Sequence, residues 1–282
     1  MIPADQVAAA AQLACLLEVS APKPGNVSPG RDFHDTRYED FVASAIAIGP
    51  AFAAAGEQPL GATIRRAIED TARWSRRNTN LGIVLLLAPL ARAACSAGGS
   101  LRERLSSVLA ATTVADAEDA YAAIRRARPG GLGRSTTEDV AEAPTVTLRE
   151  AMRLAAGRDT VAREYVTDFA VTFDVGAPAI RAARSAGLTW REATVEGFLA
   201  ILAAEPDTHI ARKLGTGEAE RISARARGVV AAGGVRTEAG RAAIAGLDAE
   251  LRDAKNARNP GTTADLTCGA LYVVILEDGW TS

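Results

Sequence analysis

Apolar residues recur at intervals of three and four along most of this 282-residue chain, and strand-like alternation is nearly absent. Intervals of three and four put apolar side chains on one face of a helix, whereas alternation puts them on one face of a strand. Aromatic residues make up only 5% of the chain, so Ala, Leu, Val and Ile must build the core. The sequence therefore predicts an all-α multi-helix bundle, which we expect to be a single domain over residues 1–282.

The expected helices begin and end at ordinary capping signals. Thr36, Thr147 and Thr189 each precede a glutamate by three residues, which is the capping-box pattern. The segment 128–144 is rich in Gly, Pro and polar residues, and we interpret it as a surface connection rather than a lid. The predicted helices span 4–19, 37–55, 60–77, 80–97, 101–111, 116–127, 148–156, 159–172, 177–186, 190–204, 217–231, 237–253 and 263–278.

Composition narrows the class of function. The net charge of −2 and the pI of about 5.9 argue against a general nucleic-acid binder. Cys15, Cys95 and Cys268 are sparse and form no CxxC pair, which is typical of reduced thiols in the cytoplasm. No signal peptide and no uncharged stretch of membrane-spanning length is apparent. We expect a cytoplasmic protein without a membrane partner. The sequence is compatible with a homodimer but does not define the oligomeric state.

Lysine and histidine are scarce, and their positions are informative. Lys23, Lys213 and Lys255 are the only lysines among 32 basic residues, and His34 and His209 are the only histidines. All five belong to a group of four segments that do not have the pattern of a helix interior: 22–35, 78–82, 207–213 and 255–265. Polar chemistry on scattered turns of a helical protein most simply gathers into one pocket.

The first segment reads PKPGNV and continues to DFHD at 32–35. Two prolines and a glycine stiffen the turn and fix the position of the Lys23 ammonium. The nearby Asp35 and His34 are candidate ligands of a divalent cation. Alternatively, Asp35 or Thr36 merely caps the next helix.

The second and third segments have features of phosphate sites. Asn78-Thr79-Asn80 precedes a strongly apolar helix, whose N-terminal amides suit an anion, although an ordinary N-cap has the same pattern. The segment 207–213 contains an aspartate, a histidine and two adjacent cations, which suits a polyphosphate. A solvated helix end is the alternative.

The fourth segment, NPGTTAD at 259–265, combines a Pro-Gly turn with two hydroxyls before an apolar helix. Such a loop can cradle an anion, but Thr262 and Asp265 also fit a capping box. Cations and carboxylates in one pocket match a magnesium-bound nucleotide or polyphosphate. Walker A, GxGxxG and GxSxG sequences do not occur in the chain.

PKPGNV, NTNLG, DTHIARK and NPGTTADL, in this order over nearly the full length, resemble the triphosphoribosyl-dephospho-CoA synthase family. The resemblance implies an all-helical enzyme that uses ATP as a substrate. In that family the 2′-hydroxyl of 3′-dephospho-CoA attacks C1′ of the ATP ribose, and adenine leaves. The product is a precursor of the prosthetic group of an acyl carrier protein.

The resemblance also implies an active site on loops at helix ends. A carboxylate would take the hydroxyl proton or stabilise positive charge at C1′, cations would hold phosphates, and Mg²⁺ would accompany ATP. The catalytic candidates are Glu18 and Asp265; the substrate- or phosphate-binding candidates are Lys23, Gly25, Asn78, Thr79, Asn80, His209, Arg212, Lys213, Gly261 and Thr262; the metal candidates are Asp35 and Asp207.

The chain departs from the family pattern at two places. Asn80-Leu81 stands where the family has His-Lys, and His209 stands where it has asparagine. A divergent member whose acceptor belongs to another cofactor pathway, such as that of a pterin or furan one-carbon cofactor, is therefore a variant of this hypothesis. A magnesium-dependent nucleotide or ADP-ribose hydrolase and a non-catalytic helical interaction module are the alternatives from other classes.

Overall fold

The computed structural model describes residues 1–130, 133 and 135–280 of the chain. No β-strand occurs within these ranges, so the all-α prediction is confirmed. The α-helices are α1 (Ala4–Ser20), α2 (Tyr38–Ala47), α3 (Gly49–Ala53), α4 (Leu60–Thr71), α5 (Leu81–Ala94), α6 (Leu101–Ala110), α7 (Val114–Ala127), α8 (Leu148–Ala155), α9 (Thr160–Glu164), α10 (Ala177–Ser185), α11 (Trp190–Ala204), α12 (Thr208–Leu214), α13 (Thr216–Ala231), α14 (Glu238–Leu251) and α15 (Gly261–Asp278).

Most predicted helices are present, and the differences have local causes. The helix predicted over 37–55 is two helices, α2 and α3, because Pro50 starts a new helix at its first turn. The helix predicted over 159–172 ends at Glu164, and a π-helical turn follows at Thr172–Gly176. The described part of 128–144 contains no helix, as predicted; residues 131, 132 and 134 lie outside the described residues.

The capping-box prediction is confirmed in full at Thr189 and in part at Thr147. Thr189 and Glu192 form a reciprocal capping box, and the Thr147 side chain accepts a hydrogen bond from the Glu150 amide. The prediction at Thr36 is wrong, because α2 begins at Tyr38. The Tyr38 amide donates instead to Asp32 Oδ1 at 2.9 Å.

The chain divides into two compact units. Unit 1 comprises residues 1–15, 39–169 and 275–282, and unit 2 comprises 16–38 and 170–274. In unit 1, α4 packs against α5 and α7, and α5 packs against α6 and α9. In unit 2, α11 packs against α10 and α13, and α13 packs against α12 and α14. The expectation of a single domain over 1–282 stays a prediction. Among the described residues, every helix is too short or too polar to cross a bilayer.

The core of unit 2 explains why the short helix α12 forms. Seven residues are too few for a stable isolated helix. Ile210 of α12 is fully buried and belongs to the same apolar cluster as Phe198, Ile222 and Leu251. Burial of this side chain anchors α12 and its flanking polar residues to the rest of unit 2.

In unit 1, a buried tyrosine compensates for a proline inside α5. Pro89 has no N–H, so the carbonyl of Leu85, four residues earlier, loses its helical donor. The fully buried Tyr165 hydroxyl donates to this carbonyl at 2.6 Å. Burial raises the pKa of Tyr165, so the phenol keeps its proton and remains a donor.

We expect Tyr165→Phe to reduce the free energy of unfolding by about 1–3 kcal/mol, because a buried carbonyl is left without a donor. Denaturant unfolding measures the change. The matched background is Pro89→Ala, in which residue 89 regains an N–H that can donate to Leu85. In the Pro89→Ala background, Tyr165→Phe should reduce the free energy of unfolding by clearly less than it does in the wild type. An equal cost in both backgrounds would show that the tyrosine does not act through this carbonyl.

Candidate functional site

The PKPGNV turn lies in unit 2, where Lys23 is almost completely buried. Its ammonium is 2.9 Å from Glu18 Oε1, and it donates to the carbonyl oxygens of Glu18 and Ala21. An ammonium has three N–H donors, so these three acceptors match its full capacity. Lys23 therefore holds the end of α1 against the turn and pairs with the buried Glu18 carboxylate.

Gly25 is required in this turn for two reasons. Its φ of +72° is unfavourable for side-chain-bearing residues, and a Cβ there would lie 2.7 Å from Leu251 Cβ. The Gly25 amide donates to Asp248 Oδ1 at 2.8 Å, and its carbonyl accepts from Asn259 Nδ2 at 2.9 Å. The first segment thus contacts both α14 and the loop that precedes α15.

Asp248 and Asn259 were not among the predicted site residues. Asp248 also pairs with Arg31 and accepts from Arg252 Nε at 3.0 Å. Asn259 Nδ2 additionally donates to Asn26 Oδ1 at 2.9 Å. Each links positions more than 200 residues apart, and no local sequence pattern signals such a pairing.

Asp207 is buried and joins the third segment to the fourth. Its Oδ1 accepts from the amides of His209 and Ile210 at 2.8 and 3.0 Å, and so caps α12. Its Oδ2 accepts from the amide and hydroxyl of Thr263 at 2.7 and 2.8 Å. Burial raises the pKa of Asp207, while the four hydrogen bonds oppose the rise because they favour the ionised form. Both carboxylate oxygens already accept protein hydrogen bonds.

His209, Arg212 and Lys213 lie on α12, as the sequence grouping suggests. Arg212 Nη2 approaches His209 Nδ1 at 3.4 Å, so Nδ1 is the acceptor and the ring proton is on Nε2. Burial, together with the positive charges of Lys213 and Arg212, lowers the pKa of His209 to about 3. The histidine is therefore neutral at pH 7, and it adds no charge to this cationic surface.

Lys213 connects the third segment to the acidic part of the first. Burial lowers the pKa of Lys213, and the carboxylates of Asp253, Asp207 and Asp35 act in the opposite direction. Its ammonium is 3.4 Å from the Asn256 carbonyl. In turn, Asn256 Nδ2 lies 2.9 Å from His34 Nδ1. His34, Asp35 and Lys213 thus belong to one neighbourhood of unit 2.

The fourth segment starts α15 two residues earlier than predicted. Ala264 N–H donates to the Pro260 carbonyl, so Pro260 is the N-cap and the capping-box reading of Thr262 with Asp265 is wrong. Thr262 is buried, and its hydroxyl accepts from Thr208 at 3.2 Å. Asp265 is half-buried on the second turn. Gly261 faces the His209 ring, whose Cγ would lie 3.4 Å from an added Cβ.

The second segment belongs to unit 1. Asn78 Oδ1 accepts from the Leu81 amide, the first of α5, at 3.1 Å, whereas the N-cap residue Asn80 makes no side-chain cap hydrogen bond. Thr79 and Asn80 are buried and bond to Ser44 and Thr71 at 2.6 and 3.0 Å. These side chains line a cavity of about 600 Å³ that also contains arginines of the α4–α5 turn and of the end of α7.

The predicted metal ligands have different environments. Asp207 has its oxygens committed to four donors, whereas Asp35 lies at the surface, 4.0 Å from His34 Nε2. Within the described ranges, no three His, Cys, Asp or Glu side chains are arranged to hold a metal ion. The donor set therefore does not fit a metal held by the protein alone. An ion bound mainly through phosphates needs only one or two carboxylates.

Comparisons with known proteins agree with the resemblance found in the sequence. A family model described as CitG, ATP:dephospho-CoA triphosphoribosyl transferase, matches residues 4–282. Since the match covers nearly the whole chain, the protein belongs to this family of transferases. The predicted family and enzyme class are thus confirmed.

The relatives match over most of their length. A 2-(5″-triphosphoribosyl)-3′-dephosphocoenzyme-A synthase of Klebsiella pneumoniae is 28% identical over 279 residues, which are 92% of this chain and 91% of that protein. A Pseudomonas fluorescens protein provisionally given the same name is 28% identical, over 92% of this chain and 87% of that protein. A crystal structure from Archaeoglobus fulgidus, provisionally named triphosphoribosyl-dephospho-CoA synthase, has a TM-score of 0.66 and 30% identity. It covers 85% of this chain and 100% of that chain.

The neutral His209 gives the protein a specific pH dependence. An unfolded histidine has a pKa of about 6.5, and the folded value is about 3, so between these values the unfolded state binds more protons. The unfolding free energy therefore has its full value above pH ~6.5, and it decreases as the pH falls toward 3 because protonation of His209 favours the unfolded state. We expect His209→Asn to remove about 2 kcal/mol of the fall in unfolding free energy between pH 7 and pH 5.

Urea unfolding at both pH values measures this difference. His34→Asn, the same substitution at an exposed histidine, is the matched control with which His209→Asn is compared. If His209→Asn kept the full wild-type pH dependence, the histidine would not be held neutral in the fold.

Proposed function

We propose that this enzyme transfers the 5-triphosphoribosyl group of ATP to the 2′-hydroxyl of 3′-dephospho-CoA. The C1′–N9 bond of ATP breaks, a bond from C1′ to the acceptor oxygen forms, and the hydroxyl proton is lost as adenine leaves with the bonding electron pair and acquires a proton. Membership of the family over nearly the full length supports this reaction. The observation in the structure that carries it is the Asp207–Thr263 link, because it joins two of the motifs within unit 2.

Of the two catalytic candidates, we assign proton transfer to Asp265. It is half-buried on the second turn of α15, one turn after Gly261, which faces the His209 ring. Glu18 is 4% exposed and paired with Lys23, so its carboxylate is less accessible to an acceptor hydroxyl. A carboxylate that takes a proton from the attacking hydroxyl typically contributes a factor of about 10²–10⁴ in rate. We propose that the Glu18–Lys23 pair positions the PKPGNV turn.

Phosphate binding in unit 2 is assigned to Arg212 and Lys213. Both lie on α12, and Arg212 approaches His209, whose neutral ring faces Gly261 at the start of α15. Asp207 then has a positioning role, since four donors already hold its carboxylate. Gly25 lets the backbone lie against Leu251, where a Cβ would be only 2.7 Å from the leucine Cβ, and Gly261 leaves room beside the His209 ring.

The remaining expectations are part of the same proposal. Mg²⁺ would neutralise charge on the ATP phosphates and would be bound mainly through them, with Asp35 as the candidate carboxylate. No step assigned to the protein's own residues passes through the ion. Cys15 and Cys268 are buried and Cys95 is half-buried, and none of these three cysteines forms a disulfide, which suits a reducing cytoplasm. A homodimer remains an expectation of the proposal.

The products of a single reaction test the proposed function. The protein is incubated with ATP, Mg²⁺ and 3′-dephospho-CoA, and adenine, ADP, phosphate and the conjugate are followed by mass spectrometry. We expect adenine and the triphosphoribosyl conjugate in equal amounts. Asp265→Asn should lower the rate by roughly a hundredfold or more, with little change in melting temperature.

The controls separate this reaction from its alternatives. Asp5→Asn, a matched change at an exposed position on α1, should keep the wild-type rate. Adenine released without dephospho-CoA, together with free ribose triphosphate, would favour a hydrolase. Adenine released only with a pterin or furan acceptor would indicate a divergent acceptor. ADP or pyrophosphate as the main product would refute ribosyl transfer.

A further inference from the structure

A cavity of about 600 Å³ in unit 1 is surrounded by arginines. It lies where the end of α4, the α4–α5 turn and the end of α7 meet. The chain supplies this cation cluster from two places about fifty positions apart in sequence, which are brought together because α4 packs against α7. The arginines that line the cavity are Arg76, Arg77, Arg125, Arg126 and Arg128.

Part of the positive charge of this cavity has no carboxylate partner among the described residues. Among the described residues that line it, none is a carboxylate. Arg125 donates to the Val140 carbonyl, but within the described part of the chain no carboxylate pairs with Arg76, Arg126 or Arg128. By contrast, Arg73, two residues after the end of α4, pairs with Asp70 at 3.0 Å. Unpaired like charges repel each other, so a bound anion would relieve this repulsion.

The wall of the cavity also carries neutral groups suited to an anion. Asn78, Thr79 and Asn80 line it, and they precede the N-terminus of the fourteen-residue helix α5. Leu81 N–H is capped by Asn78, whereas Gly82 and Ile83 are the next residues of the first turn. Their N–H groups have no carbonyl partner within the helix, because the first such bond is the one that Val84 donates to the Asn80 carbonyl at 2.8 Å. Guanidinium groups bind phosphate oxygens in pairs, and helix N-termini add partial positive charge.

We propose that this arginine cavity binds a polyphosphate chain. The proposal rests on the proposed function in one respect: both substrates contain such a chain, the triphosphate of ATP and the diphosphate of dephospho-CoA. Arg76, Arg126 and Arg128 are binding residues in addition to the motif positions. They supply positive charge beside Asn78, Thr79 and Asn80 in the wall of the same cavity.

The test measures binding, so it does not depend on turnover. Isothermal titration calorimetry follows inorganic tripolyphosphate, ATP and dephospho-CoA with the wild type and with Arg76→Gln/Arg126→Gln. The double variant should bind tripolyphosphate at least about tenfold more weakly, since each lost charge-assisted contact weakens binding severalfold. A rise in salt concentration should weaken tripolyphosphate binding more for the wild type than for the double variant.

The matched control is Arg158→Gln/Arg191→Gln, which removes the same charge from exposed positions outside the cavity. It should bind tripolyphosphate as the wild type does. Weaker ATP binding by the cavity variant would identify the triphosphate of ATP as the occupant, and weaker dephospho-CoA binding would identify the diphosphate; either supports the proposal. Equal tripolyphosphate affinity of the cavity variant, the control and the wild type would overturn it.

The outcome is separable from that of the proposed function. A wild type that releases no adenine, but binds tripolyphosphate through these arginines, would refute ribosyl transfer and leave the anion cavity standing. Normal adenine release by the wild type, combined with unchanged tripolyphosphate binding and unchanged rates in the cavity variant, would support ribosyl transfer and refute the anion cavity. Thermal melting of each variant confirms that it is folded before binding is compared.

Discussion

The arrangement of unit 2 depends on one buried carboxylate, that of Asp207. It accepts four hydrogen bonds from groups on two helices that are distant in sequence. Moving a carboxylate out of water is unfavourable unless its oxygens are hydrogen-bonded, and here the amides at two helix N-termini provide the donors. Asp207 can therefore be buried only when the third and fourth segments lie together, because each segment supplies part of its hydrogen-bond donors.

Two further contacts extend this assembly to the PKPGNV turn. Asp248 accepts from the Gly25 amide, and Asn259 donates to the Gly25 carbonyl. A side chain at residue 25 would collide with Leu251, so the turn reaches α14 only because this residue is glycine. Lys23 and Glu18 then neutralise each other behind the turn. In this way three sequence segments with separate turn chemistry form one polar neighbourhood on a rigid helical scaffold.

The sequence predicted what depends on local periodicity and on short motifs. The positions of most helices, the all-α class and the family follow from these. The sequence did not predict Asp248 or Asn259, since their partners are 223 and 234 residues away. The arginine cavity was also missed, because an arginine-rich composition hides which arginines converge in space. The capping box of Thr262 with Asp265, which was the alternative to a binding loop, does not form, because α15 begins at Gly261 and Pro260 is its N-cap.

The central claim is that Asp207 holds α12 and α15 together through hydrogen bonds within the protein. The alternative is that its carboxylate binds a metal ion or another ligand. Hydrogen exchange of Asp207→Asn, compared with the helix-capping control Asp159→Asn in unit 1, tests this directly. An asparagine has one acceptor oxygen fewer, so exchange should become about tenfold faster or more in both α12 and the first turns of α15, without added ATP or metal. The control should leave both segments protected. Unchanged protection in Asp207→Asn, combined with lost ATP binding, would contradict the positioning role and assign Asp207 to the ligand.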